Sequence, residues 1–222
     1  MCGRFALHAD AETIAQTFEL DEAPELSPRY NIAPTQPAPV VLTTGDNAHR
    51  EFRTLRWGLI PSWAKDAVIG AKMINARAET VAEKPAFRSA FTHRRCLILA
   101  DGFYEWQKLG RGKQPIYIRL KSGEPFAFAG LWERWESPDD GPIESCTIIT
   151  TTPNDLVQPI HDRMPVILHR ESYGRWLDPG NTNSEALATL LTPYSANEME
   201  AYSVSARVNS AANDDPTCIE RI

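Results

Sequence analysis

Long apolar runs are missing from this chain. No stretch of the 222 residues approaches the ~20 apolar positions of a membrane-spanning helix, so no membrane association is expected. Positive charge is not in excess either: 23 Lys and Arg stand against 29 Asp and Glu, a formal net charge of −6. A chain of that sign binds nucleic acid only through a local basic groove on an acidic body. Cysteine is scarce. The four residues, at 2, 96, 146 and 218, form no C-x-x-C pair, which argues against a zinc ribbon or a dithiol redox site. No phosphate-cradling Gly-rich loop and no metal-ligand spacing is present, so no cofactor and no metal are expected. Repeats and low-complexity tracts are also absent. The opening MCGRFALHADAETIAQ lacks a long apolar middle and a small-residue cleavage site, so secretion is not expected and a reducing, cytoplasmic setting is the default.

What is present is an ordinary globular mixture, 42% hydrophobic and 23% charged. Seventeen prolines are scattered rather than clustered, and no composition break divides the chain, so one domain over 1–222 is expected. PVVLTTGDN and REFRTLRWGLIP read as two strands joined at Gly-Asp-Asn. Residues 95–135 hold at least four more, broken at LGRGK and KSGE; ESCTIITTTP and MPVILHR add two, and AYSVSARV reads as the last. Asp10 is the expected cap of a helix through Phe18, and Asn183 or Ser184 of another; VAEKPAFRSAF and ESYGRWL read as short helices. Cys96 and Cys146 lie in apolar runs and read as buried small hydrophobes. Many strands with scattered helices predict an α+β fold, a curved, barrel-like, mainly antiparallel sheet with helices outside.

Four places carry chemistry. Cys2 follows the initiator Met, and trimming of that Met would leave an α-amine (reference pKa ~7.7–8.0) beside a thiol (~8.5) on one residue. Such a 1,2-aminothiol condenses with aldehydes to an imine that the thiol closes to a thiazolidine. It can also act as an N-terminal nucleophile on amides. Gly3 lets backbone approach a ligand, and Arg4 can hold a phosphate. In INARAET, Asn75 can orient a hydroxyl or carbonyl and Arg77 can offer a fork to phosphate, although the heptapeptide also reads as a helix start or loop. In ADGFYEW, alternation puts Phe103 and Glu105 on one face and Tyr104 and Trp106 on the other. Burial there would raise the Glu105 carboxyl and suit it to general acid work, while Asp101 can simply fix the turn. In PIHDRMP, His161 sits between prolines, beside Asp162 and Arg163; a carboxylate can fix its tautomer and Arg163 can meet a phosphate.

MCGRF, RYNIAPT at 29–35, RWGLIPSW at 56–63, INARAET at 74–80, RRCLILADGFYEW at 94–106, PIHDRMPVIL at 159–168 and VSARVN at 204–209, in that order, resemble the SRAP (SOS response-associated peptidase) family over nearly the whole chain. The resemblance implies an α+β domain that senses abasic sites in single-stranded DNA and joins itself to them covalently. Its catalytic set would be Cys2, Asn75, Glu105 and His161. Arg4, Arg77 and Arg163 would hold phosphates, with Trp63 and Pro34 near the bases. The implied partner is single-stranded DNA carrying abasic sites. The chain would act as a monomer, cytoplasmic and on the nucleoid when engaged with DNA. Two rivals stand beside this reading: an N-terminal-nucleophile cysteine peptidase that removes its own Met1, and a passive single-strand-binding module.

Overall fold

The computed structural model describes residues 2–44, 49–110, 112–138 and 141–222. In chain order the strands are β1 (Phe5–Leu7), β2 (Arg29–Ile32), β3 (Pro37–Thr44), β4 (His49–Trp57), β5 (Asn75–Arg77), β6 (Arg95–Ala100) and β7 (Gly102–Leu109). They continue as β8 (Gly112–Leu120), β9 (Phe126–Ser137), β10 (Gly141–Thr151), β11 (Met164–Pro165), β12 (Ile167–Leu168) and β13 (Met199–Ser203). Five of them close a barrel: β3 pairs with β4 and β6, β6 with β9, β9 with β10, and β10 returns to β4. Closure leaves none of the five with an open edge. Every pairing in the ring is antiparallel except β10–β4. β5 continues the parallel pairing on β10, with Asn75 opposite Ile148 and Arg77 opposite Thr150. The fold is α+β, as expected, with the barrel as its sheet.

A second sheet, ordered β13-β8-β7-β1-β2, leans on the barrel. β1 joins β7 through Phe5↔Phe103 and Ala6↔Gly102, and the Tyr104 N–H donates to the Arg4 C=O (2.9 Å), extending the register toward Cys2. Alternation along β7 works as the pattern predicts. Phe5 and Phe103 enter the main core, where Phe5 meets Trp57 and Phe128 edge-on, while Tyr104 joins a smaller cluster with Ala6, Tyr117, Val204 and Val208. Gly102 has no room for a side chain, since a Cβ there would lie 2.4 Å from Cζ of Tyr117 and 2.8 Å from the Ile118 carbonyl oxygen. Gly110 (φ +55°) opens the turn after β7, a backbone conformation that β-carbons resist.

Helices are few and short. α1 (Ala11–Phe18) is capped as expected by Asp10, which accepts the Thr13 N–H at 2.8 Å, and it buries Ile14 and Phe18. α2 (Arg88–His93) starts later than VAEKPAFRSAF predicts, because residues before it turn back from β5 and Pro85 supplies no N–H. α3 (Tyr173–Leu177) and α4 (Ser184–Ala188) match the reading, and Asn183 is the cap of α4. MPVIL divides into two short strands, and AYSVSARV is strand only to Ser203. After it the chain curls into a 3-10 turn, because the Asn31 side-chain amide gathers the carbonyls of Val208, Ser210 and Asn213. The expected Gly-Asp-Asn turn lies outside the described residues. All four cysteines are buried and free, in keeping with the reading of Cys96 and Cys146. Among the described residues no helix is long and apolar enough to cross a membrane.

Candidate active site

Residues 2, 75, 105 and 161 come from four separate segments, and the two sheets bring them to one place. The β1–β7 pairing carries Cys2 alongside Glu105. β5, laid parallel to β10, presents Asn75 from the barrel, and its Nδ2 donates to the Cys2 carbonyl oxygen at 2.8 Å. INARAET is therefore a strand start, not a helix start. Its parallel partner is over seventy residues away, which a local pattern does not reveal. The loop after β10 supplies His161, whose Nε2 stands 4.0 Å from Oε2 of Glu105. That gap is long for a direct bond and wide enough for a substrate oxygen to touch both groups.

Burial sets the electrostatics. Glu105 is 2% exposed, and desolvation pushes its carboxyl up to about 7. A carboxyl at that value gives and takes protons with equal ease near neutral pH. Cys2 is fully buried, and burial, reinforced by the Glu105 charge, drives its thiol far above the usual range, so the sulfur is held as S–H. Burial likewise holds His161 below its ordinary value, against the opposing pull of Asp162. Nδ1 of His161 accepts the Arg163 N–H at 3.0 Å, which leaves the ring proton on Nε2, toward Glu105. On gaining a second proton, Nδ1 would face the Asp162 carboxylate, 2.9 Å away. Asn75 Oδ1 is buried with no hydrogen-bond partner among the described residues, so the site offers an acceptor waiting for a donor.

Two open grooves reach the cluster, one at Glu105 and His161 and the other at Asn75. One of about 730 Å³ runs past Glu105, Trp106, Lys108, Lys113 and His161. The other, about 430 Å³ and mostly apolar, is bounded by Trp63, Asn75, Arg77, Lys84 and Phe87. Both volumes fall in the range of small-ligand sites. Trp63 is 58% exposed beside the second groove, and Arg77 is exposed with it. Pro34 is half-buried in a turn whose Thr35 takes φ +71°, a strained value for a β-branched residue. Among the described residues no group of three His, Cys, Asp or Glu side chains gathers to hold a metal ion.

A family model described as SOS response associated peptidase (SRAP) matches residues 1–211. The chain belongs to the SRAP family. It is 51% identical over 224 residues to the abasic site processing protein YoqW of Bacillus subtilis (strain 168), covering 99% of both chains. Identity to the abasic site processing protein HMCES of Gallus gallus is 33% over 222 residues, with 86% of this chain and 66% of that one covered. The crystal structure of a protein from Bacteroides thetaiotaomicron is similar throughout, with a TM-score of 0.88 and 32% identity over the whole of both chains.

Within this SRAP chain two of the expected phosphate-holding arginines have internal partners. Arg4 Nη1 donates to Asn31 Oδ1 (2.6 Å) and the Val208 carbonyl (2.7 Å), tying the N-terminal strand to the C-terminal turn. Arg163 is locked in a two-pronged pair with Glu79 (2.6 and 2.9 Å) and donates to the Thr150 carbonyl (2.6 Å). Glu79 lies inside the quoted INARAET motif, yet its role was invisible there, since its partner is 84 positions away. A phosphate reaching the Arg163 fork would have to exchange with Glu79. Lys84, Lys108 and Lys113 are further cations on the grooves; Lys108 stands near the end of β7, before the LGRGK break, and Lys113, the last residue of that break, falls at the start of β8.

Proposed function

We propose that this protein processes abasic sites in single-stranded DNA by forming a thiazolidine between Cys2 and the lesion. The observation that carries the reading is the Asn75–Cys2 contact (2.8 Å) beside a carboxyl poised at about 7, within a site that two open grooves approach. The names of the relatives support the lesion as substrate.

Removal of Met1 exposes the Cys2 α-amine. An abasic deoxyribose is mostly a closed hemiacetal, so Glu105 first moves the proton that opens the ring to the C1′ aldehyde. The amine adds to C1′, giving a carbinolamine. Glu105 then protonates the departing hydroxyl, water leaves, and an iminium remains. Cys2 Sγ attacks the same carbon, its proton passing to Glu105, and a five-membered ring closes. The net change is one C–N and one C–S bond formed with loss of one water. An imine left open would invite β-elimination and strand cleavage; the sulfur removes the iminium that elimination needs. Asn75 holds the Cys2 backbone so that amine and thiol face one carbon. Its free Oδ1 accepts from a sugar hydroxyl, and His161 Nε2 bonds the opened sugar and shares the proton traffic. Trp63 and Pro34 stack or wedge beside the lesion, and Arg77 takes a phosphate; Arg4 and Arg163 contribute from within the wall.

The family's description favours a second activity of the same residues, hydrolysis of the Met1–Cys2 peptide bond. One experiment tests both. The purified protein is incubated with an oligonucleotide carrying one abasic site, then read by denaturing gel and intact mass. The expected product has the mass of protein lacking Met1 plus DNA minus water, and Cys2→Ser gives no heat-stable adduct. A heat-stable adduct with Cys2→Ser, or adduct formation with Met1 retained, overturns the mechanism.

A further inference from the structure

The β7–β8 hairpin pairs Lys108 directly opposite Lys113. Like charges facing each other across an antiparallel pair oppose folding, where an opposite-charge pair would help. Both side chains are exposed, and among the described residues neither has an ion-pair partner. Both also line the groove that contains Glu105 and His161. The repulsion is thus concentrated at the mouth of the candidate active site, on a chain whose overall charge is −6. His161, lowered mainly by burial, is pushed down further by Lys108, so the lysine charge reaches into the site.

We infer that Lys108 and Lys113 form a clamp for a backbone phosphate of the bound strand, one that neighbours the reacting sugar. The inference rests on the proposed abasic-DNA reading and adds the exit path of the strand along β7–β8. Lys108 lies three residues along β7 from Glu105, about 10 Å at the ordinary strand rise, and by alternation on the face of Trp106, which lines the same groove as Glu105, so the clamped phosphate belongs to a nucleotide close to the lesion. An ammonium pair holds phosphate as two point charges, without reading base identity. Binding of the anion cancels the cross-strand repulsion, so the cost to the free hairpin is recovered in the complex.

The test uses full-length protein and an oligonucleotide with a tetrahydrofuran abasic analogue, which has no aldehyde and reports binding without crosslinking. The double variant Lys108→Gln, Lys113→Gln should bind about tenfold more weakly at physiological salt, with a plot of log affinity against log salt shallower by about 0.7, the value of one single-strand phosphate. Neutral methylphosphonate linkages, placed one at a time around the lesion, should reveal one position that weakens the wild type and leaves the double variant unaffected. Melting temperature should stay level or rise, since the repulsion is gone; a fall would signal hairpin damage, and the single variants would then be compared by the same methylphosphonate cycle. An unchanged salt slope, or the same methylphosphonate losses in both proteins, overturns the clamp. If the wild type forms no adduct with natural abasic DNA and binds no strand, the underlying reading fails and takes the clamp with it; wild-type crosslinking with a silent double variant sinks the clamp alone.

Discussion

Replacing Glu105 with Gln should stabilise the fold above neutral pH while removing the proposed proton carrier. Glu105 is 2% exposed, and its carboxyl rises from an ordinary 4.5 to about 7. Between those values the folded chain keeps a proton that the unfolded chain releases, so stability falls as pH rises through the window and levels off above it. At 1.36 kcal/mol per unit the full cost of ionising Glu105 in place is ~3.4 kcal/mol, reached near pH 8; it is ~2 kcal/mol at pH 6 and close to zero at pH 4. Gln is nearly the same shape and never ionises, so Glu105→Gln escapes this cost. Urea titrations of both proteins at the three pH values isolate it, because every other titrating group is common to the pair. The stability difference should grow in favour of Gln by about 3 kcal/mol between pH 4 and pH 8. In parallel, single-turnover crosslinking by the wild type should titrate near pH 7, and by the variant should be slow throughout. A difference that does not vary with pH would refute the assignment of Glu105 as a buried, half-protonated carboxyl.

Two further outcomes are expected. Glu79→Ala frees the Arg163 fork from its two-pronged partner and loosens the loop that carries His161; crosslinking should slow by roughly tenfold or more, since small misplacement of a catalytic group is costly. An unchanged rate constant would remove Glu79 as a positioning residue, and Glu79→Gln, which keeps one acceptor, should recover part of the loss. Gly102→Ala forces a methyl into the Tyr117 ring and the Ile118 carbonyl, so a loss of about 1–3 kcal/mol is expected in denaturant titration; a neutral result would mean that β7 and β8 can part there at little cost.

The fold was readable wherever a local signal sufficed. Asp10 and Asn183 cap helices through their own neighbours, the alternation of Phe103, Tyr104 and Glu105 follows from the two faces of one strand, and the apolar runs around Cys96 and Cys146 specify burial. Cys2, Asn75, Glu105 and His161, which the structure brings together, are named by the resemblance through short, ordered motifs, and their roles are part of the proposal.

Residue types, helix caps and the alternating faces of a strand belong to the sequence alone, since each depends on residues within a few positions. Barrel closure through β10–β4, the parallel seating of Asn75 on β10, the full burial of Cys2, and the choice of Asn31 and Glu79 as partners for Arg4 and Arg163 belong to the tertiary structure. These link residues tens of positions apart, and burial and charge pairing at such sites depend on what the rest of the chain brings alongside.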